Sequence, residues 1–185
     1  MKMGCSQILD YIKRQQPEDG ATESSAFLIS MIDKSISVKR FPDFLSEIDM
    51  IGDYAFNGCT NLELEYLPES ITGIGAHAFN GCKKLALAYL PENLALILTL
   101  AFVNCQSITI TTIPKKVQMI SNSAFLNCVG LTTITFKGKP NQIASNAFNG
   151  CTNLTTINVP WSEGEVANAP WGATNATINY NYTGE

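Results

Sequence analysis

The chain has 185 residues, 45% of them hydrophobic and 15% charged, with a formal net charge of −4. That length fits one domain with a buried core, and the composition excludes a disordered chain. The weak acidic balance supplies no overall field toward nucleic acid or an anionic membrane, so neither is expected as a partner. No stretch approaches the roughly 20 apolar residues of a membrane-spanning helix. The charge is uneven. Residues 1–55 hold nine acidic and six basic groups, whereas further on Lys83, Lys84, Lys115, Lys116, Lys137 and Lys139 outnumber Glu63, Glu65, Glu69 and Glu92. This reads as a solvated face.

Residues 1–44 are expected to form an N-terminal helix, a linker and a capping region. "SQILDYIKRQQ" carries Ile8, Leu9, Tyr11 and Ile12 at helix-like spacing. "PEDGATESS" is a polar linker, and "AFLISMIDKSISVKRFP" reads as strands. Asp43 to Ile48 is expected to make a helical turn. The start lacks the apolar run of a secretory signal. Cys5 after Gly4 has the look of a lipoprotein cleavage site without the segment that should precede it. Either the chain is not exported by that route or a leader precedes Met1.

From residue 45 to 160 the chain repeats itself. Cys59, Cys82, Cys105, Cys128 and Cys151 stand 23 residues apart, and so do Phe56, Phe79, Phe102, Phe125 and Phe148. Ile51, Ile74, Ile97, Ile120 and Ile143 run in step, as do Leu62, Leu85, Ile108, Leu131 and Leu154. A fifth column, Leu67, Leu90, Ile113, Phe136 and Val159, is mostly followed by proline. One unit cannot bury its apolar side chains alone; stacked units form a continuous core, so a 23-residue period predicts a solenoid. The β-prone segments after each cysteine, such as "ITITTIP" and "LTTINVP", are expected to pair as a parallel sheet with one strand per coil, ended by proline. Each "AF" segment is expected to form a short helical or 3₁₀ turn on the opposite side, with its phenylalanine in the core.

The residue before each cysteine is Gly58, Gly81, Asn104, Asn127 or Gly150. Glycine and asparagine tolerate a left-handed backbone best, so positive φ is expected there. The cysteines themselves admit three readings. Metal ligation requires ligands that converge, whereas these lie in a line and His77 is the only histidine. Disulfides between neighbouring coils suit the separation, but five equivalent thiols cannot all pair. The third reading is a small buried thiol that fills the core and weakly bonds the turn backbone. No Ser-His-Asp set can be built around one histidine in a column (Tyr54, His77, Leu100, Ser123, Asn146) that varies freely and is expected at the surface. No catalytic, cofactor-binding or metal-binding residue is therefore assigned.

The pattern C-x-x-L-x-x-I-x-L-P…I-G-x-x-A-F-x-x-C resembles the BspA-like, Treponema pallidum-type leucine-rich repeat family. The resemblance implies a leucine-rich-repeat solenoid with its parallel β-sheet on the concave face, used for binding or adhesion, often on bacterial surfaces, with no catalysis by the repeats. By the family pattern, residues two and four after the leading leucine point outward. The candidate partner-binding residues are then Leu64, Tyr66, Leu87, Tyr89, Ile110, Thr112, Thr133, Thr135, Thr156 and Asn158. A competing reading turns the early strands by one residue and puts Leu64, Leu87 and Ile110 in the core. Coils one to three read L-x-L-x-x-L, coils four and five L-x-x-I-x-V, and an inward Glu65 carboxylate would be costly.

After Pro160 the strict period stops, and residues 161–185 are expected to cap the solenoid, with Trp161 and Trp171 sealing its open core. Ile178, Tyr180 and Tyr182 alternate with polar residues, which predicts an edge strand or hairpin. This tail resembles the ends of leucine-rich-repeat proteins encoded by phages and prophages of gut Firmicutes. The expected function is recognition of a protein or glycan through the concave sheet, in an extracellular or virion-associated setting. The alternatives are a structural spacer or virion component with contacts, including self-association, through its termini, and a secreted bacterial surface protein.

Overall fold

The protein is described from a computed structural model, which covers residues 48–184 and the backbone of Lys2–Met3. The expected N-terminal helix, linker and strands up to residue 42, and Cys5, lie outside the described residues. The described chain winds into a parallel β-solenoid with short strands at β1 (Lys2–Met3), β2 (Met50–Ile51), β3 (Gly73–Ile74), β4 (Leu96–Ile97), β5 (Thr112–Ile113), β6 (Met119–Ile120), β7 (Thr133–Phe136), β8 (Gln142–Ile143), β9 (Thr156–Asn158) and β10 (Thr177–Asn179). They form two parallel sheets, ordered β1-β2-β3-β4-β6-β8 and β10-β9-β7-β5. In the first sheet Ile51 pairs with Ile74, Ile74 with Ile97, Ile97 with Ile120 and Ile120 with Ile143. The isoleucine column is therefore itself a ladder, which the sequence reading did not assign to strands.

The expected sheet after the cysteines exists, but its strands begin only at coil three. The reason lies in side-chain spacing. In β7 the burial alternates, with Ile134 and Phe136 inward and Thr133 and Thr135 half-buried, as a pleated strand requires. In coil one Leu64 and Leu67 are both buried while Glu65 and Tyr66 between them are both exposed. Two consecutive outward residues break the period of two, so the backbone bows. Single hydrogen bonds, Ala86 N–H to the Leu64 carbonyl (3.2 Å) and Thr109 N–H to the Leu87 carbonyl (2.9 Å), hold this part of the stack.

The "AF" segments are successions of turns, and no helix forms among the described residues. In coil one Asn57 N–H donates to the Tyr54 carbonyl and Cys59 N–H to the Phe56 carbonyl, both at 3.1 Å, closing turns of the 3₁₀ type. The alternate amides of Tyr54, Phe56 and Gly58 instead donate to Ala76, Ala78 and Asn80 of the next coil at 2.6–2.8 Å. Positive φ permits this alternation: Gly58, Gly81, Asn104, Asn127 and Gly150 lie at 59–73°, as their Gly/Asn column predicts. The varying column is left-handed as well, with Tyr54, His77, Leu100 and Ser123 at 53–59°. It is thus not an unconstrained surface position, and bulky residues hold a conformation they rarely adopt.

Inside, Phe56, Phe79, Phe102, Phe125 and Phe148 stack face to face with centroids 5.2–5.4 Å apart and planes within 10°. They are fully buried, and isoleucine and leucine columns surround them. The C-terminal segment departs from the expectation that repetition ends at Pro160. It makes a further, degenerate coil: β10 pairs in parallel with β9, Thr177 opposite Thr156, at an offset of 21 residues. Ala173 N–H donates to the Pro170 carbonyl as Cys151 N–H does to Phe148, so Ala173 stands where a cysteine would. The two tryptophans are buried against Phe136, Trp161 edge-on at 5.3 Å and Trp171 tilted at 6.0 Å, and close the core at this end.

Candidate functional site

The row of cysteines has the geometry of packing. All five ladder thiols are buried, and none is joined in a disulfide. Cys82, Cys105, Cys128 and Cys151 each donate Sγ–H to the carbonyl of the phenylalanine one coil back, Phe56, Phe79, Phe102 and Phe125, at 3.0 Å. Burial pushes the Cys105 and Cys151 thiols up to about 12, and raises Cys128 well above the ordinary thiol value, with the neighbouring Cys105 and Cys151 adding to the effect. A thiol that stays protonated is a poor nucleophile and a poor metal ligand.

The outward positions of the strand segments divide into three groups. Leu64, Leu87 and Ile110 are fully buried and belong to the core, not to the binding face where the family pattern put them. The L-x-L-x-x-L spacing of coils one to three turns them inward, and Glu65 with Tyr66 outward. Asn158 is also withdrawn: it is 7% exposed, donating Nδ2–H to Thr135 Oγ1 (3.1 Å) and accepting from Asn179 Nδ2 (2.8 Å). Thr112, Thr133, Thr135 and Thr156 are half-buried with their side chains on the outer face of the second sheet.

Tyr66 and Tyr89 remain, 38% and 49% exposed on adjacent coils. Every other aromatic column in register stacks, including Tyr54 on His77 at 4.7 Å. Tyr66 and Tyr89 make no ring contact and no side-chain hydrogen bond among the described residues. Phe79, Phe102 and Phe125 are backed by rings on both sides; Tyr66 and Tyr89 are exposed and have no ring partner. Beside them Glu63, Glu65, Lys84, Ala86 and Ser107 line an open depression of about 320 Å³, with Lys84 Nζ 3.7 Å from Glu63 Oε1. That exposed ion pair contributes about 0–1 kcal/mol and leaves Glu65 as the unbalanced charge.

The match to a family model decides the lineage. The model for the BspA type leucine-rich repeat region covers residues 40–169 with six copies. The chain belongs to the BspA-type leucine-rich repeat family. The six copies end at residue 169, before Ala173 and β10 of the degenerate last coil. Among solved structures, the BspA-type chain is similar to a Treponema pallidum leucine-rich repeat protein at 28% identity and a TM-score of 0.52, over 66% of this chain and 64% of that one. A leucine-rich repeat protein from Bacteroides ovatus matches at 24% identity and a TM-score of 0.43, over 60% of this chain and 35% of that one. The chain thus spans less than two thirds of the length of either. No curated protein matches it significantly. BspA-type repeats are a protein-binding or recognition scaffold, and leucine-rich repeat families are generally non-enzymatic. No helix of the described residues is long and apolar enough to cross a membrane.

Sequence reasoning missed two features here. The Tyr54–His77 stack was hidden because the column looks random, although four of its five members share a positive φ. The buried Nδ1 of His77 has no hydrogen-bond partner, and nothing in the sequence signals that.

Proposed function

We propose that the protein is a non-catalytic recognition module whose ligand binds the concave strand face, over Tyr66 and Tyr89 and along the threonines of the following coils. The observation that carries this is the pair of tyrosines. Among the described residues, where the phenylalanines stack and the tryptophans close the core, these two rings stand exposed on adjacent coils without a ring partner. Rigid aromatic side chains give large contact area at low conformational cost, which is why they dominate binding hot spots.

The setting proposed is outside the cell, on an envelope or a virion. It is supported by the family and by the resemblance of residues 161–185 to phage-encoded repeat proteins. The test is retention of the fluorescently labelled chain on isolated bacterial envelopes. Wild type should be retained and the Tyr66→Ala/Tyr89→Ala double variant should be released. Equal retention of both would remove this face from consideration.

A further inference from the structure

We infer that the ligand of this face is a neutral, hydroxyl-rich linear glycan laid along the stacking axis, an inference that rests on the recognition reading above. Among the described residues the only exposed large hydrophobic side chains are Tyr54, Tyr66 and Tyr89, and Tyr54 lies on the turn side. A stable protein interface buries about 800 Å² per partner around an apolar centre. Beyond its two tyrosines this face has no such centre.

Tyr66 and Tyr89 continue in register into Thr112 and Thr135, with Thr133 and Thr156 paired in the adjacent column. The hydroxyls of Thr112, Thr133 and Thr156 make no hydrogen bond among the described residues, and Thr135 Oγ1 accepts one from Asn158 and keeps its proton to donate. Aromatic faces suit the C–H faces of sugar rings, and hydroxyls that both donate and accept suit sugar hydroxyls. From Tyr66 to Thr156 the strip crosses four coil steps, about 19 Å, so its match is an oligosaccharide and not a single sugar. On the two tyrosine coils the charges are of mixed sign, Glu63, Glu65, Glu69 and Glu92 against Lys83 and Lys84, with Lys84 paired to Glu63. The small acidic surplus repels a polyanion and offers a polycation too little attraction, so the complementary ligand is uncharged.

The experiment is native electrophoresis of the full chain through gels containing, separately, mixed-linkage β-glucan, galactomannan, xylan and polygalacturonate. At least one neutral polysaccharide should retard the wild type. The Tyr66→Ala/Tyr89→Ala variant should bind it at least tenfold more weakly, Thr135→Val/Thr156→Val several-fold more weakly, and Tyr54→Ala unchanged, with circular dichroism verifying that each is folded. Retardation by polygalacturonate alone, by none of the four, or equally for wild type and the tyrosine variant overturns the inference. A second arm separates it from the recognition reading. If tyrosine-dependent retention on envelopes survives periodate oxidation but is abolished by proteinase, the ligand is protein, and the glycan assignment fails while the face stands. If envelope retention ignores the tyrosines, both fail.

Discussion

The two registers allowed by the early coils make opposite predictions for one pair of neighbours, Leu87 and Tyr89. In the structure Leu87 is fully buried between Leu64 and Ile110, which are fully buried themselves. Replacing a buried leucine by alanine costs about 2.7–5.0 kcal/mol, more when the surroundings cannot collapse into the cavity. Here the flanking coils are held by inter-coil backbone bonds on both sides, Ala86 to Leu64 and Thr109 to Leu87, so collapse is restrained. Leu87→Ala should therefore cost about 4 kcal/mol, which is a large share of the 5–15 kcal/mol that stabilises a typical domain. Tyr89 is 49% exposed and touches no ring partner, so Tyr89→Ala should stay within about 1 kcal/mol of wild type. Urea unfolding followed by circular dichroism measures both. If the two substitutions destabilise equally, or Tyr89→Ala costs more, the register described here is wrong and Leu87 belongs to the outer face.

Phe102 is stacked on both sides at 5.4 and 5.2 Å, and Phe102→Ala should cost about 3–5 kcal/mol, whereas Phe102→Leu should cost much less; urea midpoints check this. The five ladder thiols should fail to react with Ellman's reagent in the native protein at pH 8 and react once unfolded; rapid native reaction of more than one thiol per chain, Cys5 being the sixth cysteine, would contradict their burial. Because burial raises the Cys105 and Cys151 thiols from an ordinary 9.0 to about 12, the unfolded chain gives up these protons first as pH rises. Their contribution to stability is complete below pH 9 and is lost on the way to about 12, a fall that urea midpoints across that range will show. At Asn127, with φ of 59°, alanine should cost about 1–2 kcal/mol for the left-handed backbone and lose the bond from Nδ2 to Asn104 Oδ1. Glycine, which already fills this column at three coils, should cost less than alanine; thermal unfolding of both variants decides.

The features legible in the sequence were those enforced identically in every coil. Cys82, Cys105, Cys128 and Cys151 each meet an equivalent phenylalanine carbonyl, Phe79, Phe102 and Phe125 each have rings above and below, and each Gly or Asn before a cysteine has the same positive φ, so these columns admit few residue types. What stayed hidden depends on differences between coils. Leu64 and Thr133 occupy equivalent positions but face opposite ways, because coils one to three place two outward residues where coils four and five place one. The isoleucine ladder was read only as core, since two-residue strands leave no alternating pattern. The last coil was hidden because Ala173 replaces cysteine and the offset shortens to 21 residues. The left-handed backbone at Tyr54, His77 and Leu100 was hidden because such residues rarely signal it.

The central claim is that ligand recognition uses the strand face at Tyr66 and Tyr89 and not the turn side. The most direct measurement compares envelope binding of Tyr66→Ala/Tyr89→Ala with that of Tyr54→Ala, since all three tyrosines are exposed but Tyr54 lies on the opposite side of the coil. The strand-face variant should bind at least tenfold more weakly than wild type, and Tyr54→Ala within twofold. Full binding by the strand-face variant together with loss in Tyr54→Ala would contradict the account.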